Sequence, residues 1–361
     1  MPLRAPSPNL QFSLLSPSKP SKPKPFVSLL SSHMQSQSLT LLLAGKSTPE
    51  IQFATSLISN NSLKLADHSN LLIRLHSKAN TSDDNTPSFH VDSYFDSLFT
   101  TRFGRFLVWS PRLPSTHDVV SQNFEKLPLG TVCVADVQFK GRGRSKNVWE
   151  SPPGCLMFSF AVQMENGGIV PLVQYVASLA FTEAIKHLCA KMGLPQLEMK
   201  IKWPNDLYLN GLKVGGVLCT SSYKSKRFNI SVGIGVNVDN RQPTTCLNER
   251  LQEITSRDLQ LRKEDIVGSF FTKFETLFEV LITQGFQPME ELYYKTWLHS
   301  GQRVTIQDIC DGRTVDNVVT IQGLTSTGYL MGFGDDGQLC ELHPDGNSLD
   351  FFKGLVRQKL S

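Results

Sequence analysis

The residues with the clearest chemical potential are two arginines that alternate with glycines, in the segment GRGRSKNVWESPPGC at 141–155. Glycine has no Cβ atom, so the backbone there bends freely and a ligand can approach it closely. Arginine carries a planar set of N–H donors that fits a carboxylate or a phosphate. The segment therefore predicts a loop that closes over an anion, although a basic surface turn has the same composition.

Polar side chains also stand close to the ends of predicted strands. Ser115 and Thr116 lie in SPRLPSTHDVV (110–120), and their hydroxyls suit either a small polar ligand or the N-terminus of a helix. Gln138 ends a strand three residues before the arginine loop, where it either reaches a ligand or faces solvent. These residues predict a pocket for a small polar molecule beside the anion-binding loop.

Lys202 lies at the end of another predicted strand, in KWPNDLYLNGLKVGGVL (202–218). Most lysines are simply solvated. An ammonium fixed next to the arginine loop would offset negative charge that develops on a phosphate. Asn205 and Asp206 suit a turn, a sugar hydroxyl or a magnesium ion brought by a nucleotide. Asn237 offers an amide at the end of a later strand, GIGVNVDN (233–240), whose glycines mark either a bulge or close packing.

The chain lacks the patterns G-x-x-x-x-G-K-[ST], G-x-G-x-x-G after a strand and G-x-S-x-G. Its eight histidines show no metal-ligand spacing, so we expect no metal held by protein side chains alone. Arginine and lysine without a nucleophile suit acyl-adenylate chemistry. In that chemistry a carboxylate attacks the α-phosphate of ATP, pyrophosphate leaves, and an amine then attacks the activated carbonyl. Positioning and charge neutralisation carry both steps.

Strands and helices alternate around these segments and must position them. Apolar alternation, helical spacing and turn residues predict strands over 131–138, 155–164 and 228–238, helices over 171–192 and 263–284, and a hairpin over 201–222. The hairpin turns at Asn210-Gly211, because both residues tolerate a positive φ. Short strands separated by Asp-Gly pairs predict a small β-barrel-like domain over 301–361.

Composition excludes several classes of protein. The 361 residues are 40% hydrophobic and 19% charged, which fits a globular chain with one large core and a smaller domain. The net charge of +4 is too small to indicate nucleic-acid binding. No apolar run approaches the length of a membrane span. The seven scattered cysteines include no C-x-x-C pair, so a reducing compartment with free thiols fits best.

The first 49 residues contain no Asp or Glu and are rich in Ser, Pro and Leu. Such a basic, hydroxylated and acid-poor segment is typical of an organelle transit peptide, and an ordinary disordered tail is the alternative. The Ser/Pro content favours a plastid over a mitochondrion. A start at Met34 would shorten the signal and leave a cytosolic form. Residues 50–90 are polar and end in SKANTSDDNTPS, which predicts a linker or a poorly ordered extension.

Taken together, the polar segments resemble the biotin–protein ligases, called holocarboxylase synthetases in eukaryotes. The segments that match in order and approximate spacing are PSTHD, Gln138, GRGRSKNVWESPPG, KWPNDLYLNGLKVGGVL and GIGVNVDN. The resemblance covers about residues 91–300, and K-W-P-N-D with G-R-G-R and W-x-S-P is highly specific. It implies an α+β fold in which a central mixed β-sheet with flanking helices forms a catalytic domain. An SH3-like C-terminal domain would follow at 301–361.

The resemblance also implies an activity and roles for individual residues. Such a protein uses ATP, with magnesium, to convert biotin to biotinyl-adenylate, and then modifies a lysine on the acceptor domains of carboxylases. The positions that match biotin or biotinyl-adenylate contacts are Ser115, Thr116, His117, Gln138, Arg142, Gly143, Arg144 and Lys202. Lys202 and Arg144 would act on the reacting groups. The positions that match the nucleotide side, less closely, are Trp149, Lys213 and Asn237.

The chain departs from the family pattern in three places. His117 stands where many bacterial members have asparagine, and Ser145-Lys146-Asn147 replaces a further arginine and glycine of the bacterial loop. No N-terminal DNA-binding domain is visible, so a repressor role is not implied. The alternatives are a lipoate- or octanoate-type ligase, whose Gly-rich, His-containing loop does not occur here, and a biotin-binding protein without activity.

Overall fold

The computed structural model describes residues 39–66, 71–76, 89–144, 147–256, 259–310, 313–344, 347–350 and 354–358. Residues 1–38, with Met34 and most of the predicted transit peptide, lie outside the described residues. The same holds for Ser145 and Lys146 in the arginine loop.

A nine-stranded mixed sheet organises the larger part of the chain, which confirms the predicted α+β fold. Its strands are β1 Leu39–Gly45, β2 Leu71–Leu75, β3 Phe106–Leu113, β4 Val132–Gln138, β5 Cys155–Met164, β6 Met199–Lys202, β7 Asp206–Leu209, β8 Leu212–Lys224 and β9 Arg227–Asn237. They lie in the order β2-β1-β3-β4-β5-β9-β8-β7-β6. The pairs β1–β2 and β3–β4 are parallel, and the other neighbours are antiparallel.

Helices flank this sheet. They are α1 Thr48–Ser59, α2 Val91–Ser97, α3 Thr116–Gln122, α4 Val173–Lys191, α5 Leu247–Thr255, α6 Lys263–Gln284 and α7 Gln287–Thr296. Helix α6 has the predicted bounds, whereas α4 starts two residues later than predicted, because Pro171 belongs to a 3-10 turn over Gly167–Leu172. The helical stretch Gly167–Lys191 is long and apolar enough to cross a membrane, but 67% of its most apolar segment is buried within the protein.

Alternating residues place one core on each face of the sheet. Val132 and Val134 of β4 pack into the core under α4 and α6, whereas Cys133 and Ala135 face the core under α1 and α3. In the first core Phe160 of β5 packs edge-on against α6, with ring centroids 4.8–5.6 Å apart. This period of two explains why the predicted strands agree with the structure. The Asn210-Gly211 turn between β7 and β8 also agrees, with φ of 50° and 78°.

The structure corrects the prediction for the N-terminal part of the described chain. Residues 39–45 and 71–75 are strands β1 and β2 of the main sheet, and 48–59 form α1, so this part is neither transit peptide nor linker. The physical reason is burial: Leu39, Leu41 and Leu43 alternate into the second core. Helix α1 is anchored by Glu50, whose carboxylate accepts from Arg105 Nε at 2.8 Å.

A second sheet of six strands follows α7, in agreement with the small β-domain predicted from the sequence. Its strands are β10 Arg303–Cys310, β11 Arg313–Leu324, β12 Leu330–Gly334, β13 Leu339–Leu342, β14 Asn347–Asp350 and β15 Leu355–Gln358. Only β10–β15 pair in parallel among these described strands. Residues 297–302 connect α7 to β10 and run beside β6, where Ile201 forms a bridge with Trp297.

Candidate functional site

A cavity of about 310 Å³ opens over β4, β5, β8 and β9, between the N-terminus of α3, the arginine loop and the end of β6. It brings together ten of the eleven predicted site residues. They are Ser115, Thr116, His117, Gln138, Arg142, Gly143, Arg144, Trp149, Lys202 and Lys213. Segments that are distant in sequence meet here because the loops and strand ends that carry them surround one part of the sheet face, which forms the floor of the cavity.

One end of the cavity is an uncharged polar corner. Gln138 Oε1 accepts from the backbone N–H of Thr116 at 2.7 Å and from its hydroxyl at 3.0 Å. Since the Thr116 hydroxyl donates to Gln138, the Ser159 hydroxyl, 2.8 Å away, donates to Thr116. Ser115 begins α3, but its hydroxyl makes no capping bond. This corner offers fixed donors and acceptors to a small polar ligand.

His117 adds a neutral imidazole to this corner. Its Nε2 lies 3.0 Å from Thr220 Oγ1. Burial lowers the pKa of His117, against the raising effect of the Asp118 carboxylate, so the ring is uncharged at neutral pH. A Cβ atom at Gly233 would lie 3.4 Å from His117 Cδ2 and 3.1 Å from Ser159 Oγ. Because Gly233 has no side chain, His117 and Ser159 can pack closely against β9 at this part of the cavity floor.

The arginine loop folds back on itself over the cavity. Gly143 N–H donates to the Asn147 carbonyl at 2.8 Å, and Trp149 N–H donates to the Gly141 carbonyl at 3.0 Å. Arg142 Nη2 pairs with Asp118 Oδ2 at 3.0 Å, although 60% of the Arg142 side chain is exposed. Asp118, at the start of α3, therefore joins the loop to the polar corner.

Arg144 connects three parts of the molecule. Its Nη1 donates to Asn205 Oδ1 at 3.2 Å, and its Nη2 donates to the Pro344 carbonyl at 2.7 Å. Asn205 is in turn held by a 2.7 Å bond from its Nδ2 to the Val217 carbonyl. The guanidinium is thus oriented by the main sheet on one side and by the C-terminal domain on the other.

The other end of the cavity contains an indole and two ammonium groups. The Trp149 ring lies directly on Gly235 of β9, where a Cβ atom would come within 2.7 Å of the ring. Lys213 Nζ lies 5.9 Å from the centre of that ring and 2.6 Å from Asp206 Oδ1. Lys202 Nζ lies 4.0 Å from Asp206 Oδ2. Asp206 thus holds two lysines beside an aromatic surface.

The charges around the cavity are unbalanced. Four described lining residues are cations, and among the described lining residues Asp206 is the one carboxylate. No group of three His, Cys, Asp or Glu side chains that would suit a metal occurs within the described residues. The cavity therefore favours a polyanion beside a neutral polar group, because a cluster of one sign attracts the opposite charge.

The structure does not bring Asn237 to this cavity. Its Nδ2 donates to the Thr245 carbonyl at 3.1 Å and to Thr244 Oγ1 at 3.3 Å, and its Oδ1 accepts from Asn240 at 2.8 Å. Asn237 therefore fixes the turn after β9, and the amide predicted for the nucleotide side is used inside the protein.

Comparisons with known proteins agree with this geometry. The model of the biotin/lipoate A/B protein ligase family matches residues 109–237, and the model of the biotin protein ligase C-terminal domain matches 299–354. Biotin–protein ligase 1, chloroplastic, from Arabidopsis thaliana is 60% identical over 324 residues, which cover 90% of this chain and 88% of that protein. The biotin–protein ligase of Homo sapiens is 32% identical over 282 residues, covering 75% of this chain and 38% of that protein.

A solved structure shares the fold. A biotin protein ligase mutant from Aquifex aeolicus, in complex with biotin, superposes with a TM-score of 0.52 and 24% identity, covering 70% of this chain and 98% of that one. With the plant relative at 60% identity over most of both chains, the fold and the sequence lead to one conclusion. The chain belongs to the biotin–protein ligase family.

Proposed function

We propose that this protein is an ATP-dependent biotin–protein ligase. It converts biotin and ATP to biotinyl-5'-AMP and pyrophosphate, and then transfers biotin to the ε-amine of a specific lysine on the acceptor domain of a carboxylase. The observation that carries the proposal is that a neutral polar corner and four cations line the same cavity. One end suits an uncharged ring and the other suits a triphosphate.

The polar corner is assigned to biotin. Thr116, Gln138 and Ser159 form a continuous hydrogen-bonded chain at its base, so their remaining donors and acceptors point in fixed directions. The hydroxyl of Ser115 is not engaged in capping α3, and His117 is neutral. A ring with both N–H and C=O groups fits such a surface, because each partner is already oriented when the ligand arrives.

The cations are assigned to the reacting groups. A carboxylate oxygen of biotin attacks the α-phosphorus of ATP, a P–O bond forms, and the bond to pyrophosphate breaks. Negative charge builds on the α-phosphate oxygens during this step, and Lys202 and Arg144 offset it. Arg142 and Gly143 belong to the same loop and close over the biotinyl-adenylate.

The indole end is assigned to the nucleotide. Trp149 offers a flat surface for the adenine ring, and Lys213 reaches the same region. Asn205 and Asp206 are oxygen donors beside the phosphate-binding cations, which fits a magnesium ion that arrives with ATP. In the second half-reaction the acceptor lysine attacks the biotinyl carbonyl, and AMP leaves with the charge that Lys202 continues to offset.

Pyrophosphate release with biotin and ATP tests the first half-reaction, and the mass of a carboxylase acceptor domain tests the second. We expect pyrophosphate with biotin and much less with lipoate or octanoate. We also expect one biotinyl group on the acceptor domain. Equal rates with lipoate would favour the lipoate-type ligase. Biotin binding without pyrophosphate release would favour the inactive biotin-binding protein, and either result would overturn the proposal.

We also propose a domain arrangement and a location. Residues 91–300 form the catalytic domain, to whose sheet β1 and β2 are added, and residues 301–361 form the C-terminal domain. The part of the acid-free segment that precedes β1, residues 1–38, is assigned as a plastid transit peptide, supported by its composition and by the relative named chloroplastic. A fluorescent reporter fused to residues 1–50 should enter plastids, and one that begins at Met34 should stay in the cytosol. Import into mitochondria, or no import, would contradict this assignment.

A further inference from the structure

The strand that carries Lys202 lies at the edge of the nine-stranded sheet, and its outer side is covered by the connection to the C-terminal domain. β6 is last in the strand order and has only four residues. Within a strand, alternate peptide groups point to opposite sides. The Ile201 carbonyl and the Trp203 N–H, on either side of Lys202, both point outward, towards residues 298–299.

Residues 298–299 bind both of these outward groups. Leu298 N–H donates to the Ile201 carbonyl at 3.0 Å. Trp203 N–H donates to His299 Nε2 at 2.9 Å. The residues immediately before and after Lys202 are therefore held by the interdomain connection. The backbone of an edge strand would otherwise be free to move.

The partners of His299 fix its tautomer. Nε2 accepts from Trp203, so Nδ1 carries the proton and donates to Gln302 Oε1, 2.9 Å away. The ring is fully buried. Burial, with the nearby positive charge of Lys202 and against the raising effect of Gln302, lowers the pKa of His299 to about 4. The imidazole is thus a neutral acceptor at physiological pH.

The side chain of Trp203 is linked through Tyr175 of α4 to the C-terminal domain. Its Nε1 donates to Tyr175 Oη at 2.9 Å, and the Tyr175 hydroxyl donates to the Gly328 carbonyl at 2.5 Å. Trp203 is therefore held through its backbone by His299 and through its indole by α4 and the loop before β12. Rotation of the peptide between Lys202 and Trp203 would break the bond from the Trp203 N–H to His299.

We propose that His299 is a positioning residue, which holds the backbone of β6 so that the Lys202 ammonium meets the α-phosphate in the productive geometry. This inference rests on the proposed function. An ammonium that offsets transition-state charge must be held to within about 0.5 Å. A displacement of roughly 1 Å in such a group costs on the order of 100-fold in rate. The polar corner assigned to biotin lies on α3, β4 and β5, whereas the hydrogen bonds of His299 go to Trp203 and Gln302.

Two substitutions separate the functions of the two ring nitrogens. The amide of glutamine reaches the position of Nε2, so His299→Gln keeps an acceptor for Trp203. The amide of asparagine reaches only the position of Nδ1, so His299→Asn keeps the bond to Gln302 and loses the one to Trp203. Ser300→Ala is the matched control, because Ser300 accepts from Trp297 Nε1 in the same connection without touching β6.

The experiment measures pyrophosphate release per biotin-binding site, with the number of sites and the biotin Kd taken from calorimetry. For His299→Asn we expect turnover to fall roughly 10- to 100-fold, with the biotin Kd and the KM for ATP within about threefold of the parent. His299→Gln and Ser300→Ala should stay within about threefold in turnover. A role in folding alone would lower the number of sites and leave turnover per site unchanged.

The inference is overturned if His299→Asn retains parental turnover per site, or if His299→Gln and His299→Asn lose the same amount. If His299→Asn does not fold, His299→Ser decides, since the serine hydroxyl is too short to take the place of either ring nitrogen, and turnover per site should fall while biotin affinity persists. Parental turnover per site in His299→Ser would then refute the inference. A parent protein that releases no pyrophosphate would refute the proposed function instead.

Discussion

Replacing Gly235 with alanine should weaken ATP binding and leave biotin binding nearly unchanged. Gly235 lies in β9 beneath the Trp149 indole. An added Cβ atom would lie 2.7 Å from Cε2 and Nε1 of that ring and 3.1 Å from Cζ2. Ordinary van der Waals contact starts at 3.4 Å, so the ring must move by at least 0.7 Å, the difference between these distances.

The size of the effect follows from the cost of such overpacking. Inserting a methyl group into a tightly packed position costs about 1–3 kcal/mol. If that cost falls on the ATP complex, affinity drops by a factor of roughly 5 to 150, since each 1.4 kcal/mol is tenfold. The cost should fall there because Trp149 belongs to the loop over the cavity, and the indole moves away from the sheet into the space assigned to adenine.

Steady-state pyrophosphate release, with ATP and biotin varied separately, measures the effect. Two glycines of the same surface serve as controls. Gly216 pairs with Gly235 on β8, and a Cβ atom there would have 3.4 Å to its nearest neighbour, so Gly216→Ala should change little. Gly233→Ala would press on Ser159 and His117 and should raise the KM for biotin instead. An unchanged KM for ATP in Gly235→Ala, or a rise in the KM for biotin alone, would refute the assignment of Trp149.

Three further predictions concern Lys202, the arginine loop and His299. Lys202→Ala should lower turnover on the order of 10²–10³-fold in both half-reactions and leave the thermal midpoint at the parental value, and Lys202→Arg should restore turnover poorly. The assays are pyrophosphate release and transfer from synthetic biotinyl-adenylate, and near-parental rates in both would refute this role. Protease cleavage near Arg142 and Arg144 should slow when biotinyl-adenylate binds, and equal rates in both states would count against loop closure. Because the pKa of His299 is lowered from 6.5 to about 4, the unfolded chain binds more protons between these values. The contribution of His299 to the free energy of unfolding is therefore complete above about pH 6.5, and about 2–3 kcal/mol of it is lost as pH falls towards 4. Between pH 7 and 4.5, the free energy of unfolding measured in urea should fall less in His299→Gln than in the parent.

The strands and helices of the main sheet were predictable because their patterns are long and regular. β5 and α6 have the predicted bounds. β5 is an almost continuous apolar run of ten residues that ends sharply on both sides, and the apolar period of 3.6 in α6 continues over 22 residues. β1 was missed for the opposite reason. Its sequence, LTLLLAG, is short, nearly all apolar, and preceded by an acid-free segment. A run of leucines shows no clear period, and its pairing with the distant β3 leaves no local signal.

The same contrast separates the predicted from the missed site residues. Arg142, Arg144 and Lys202 are charged residues beside glycine or proline at strand ends, where residue type and position together indicate a ligand site. Ser159 was missed because it interrupts the apolar face of β5 by one hydroxyl, which also suits a satisfied core serine. Asp118 was missed because an acidic residue in the first turn of a helix is stabilising without any further partner.

Sequence patterns could not have identified the residues that orient Arg144 and Lys202. Arg144 donates to the carbonyl of Pro344, and every residue type has a carbonyl. Lys202 is held through the peptide groups of its neighbours, by Leu298 and His299, about a hundred positions along the chain. The polar corner assigned to biotin, in contrast, is completed by hydrogen bonds that join α3 to β4 and β5. Helix α3 and the main sheet thus form the part of the cavity assigned to biotin, whereas the orientation of both cations assigned to the reaction also depends on residues that follow α7.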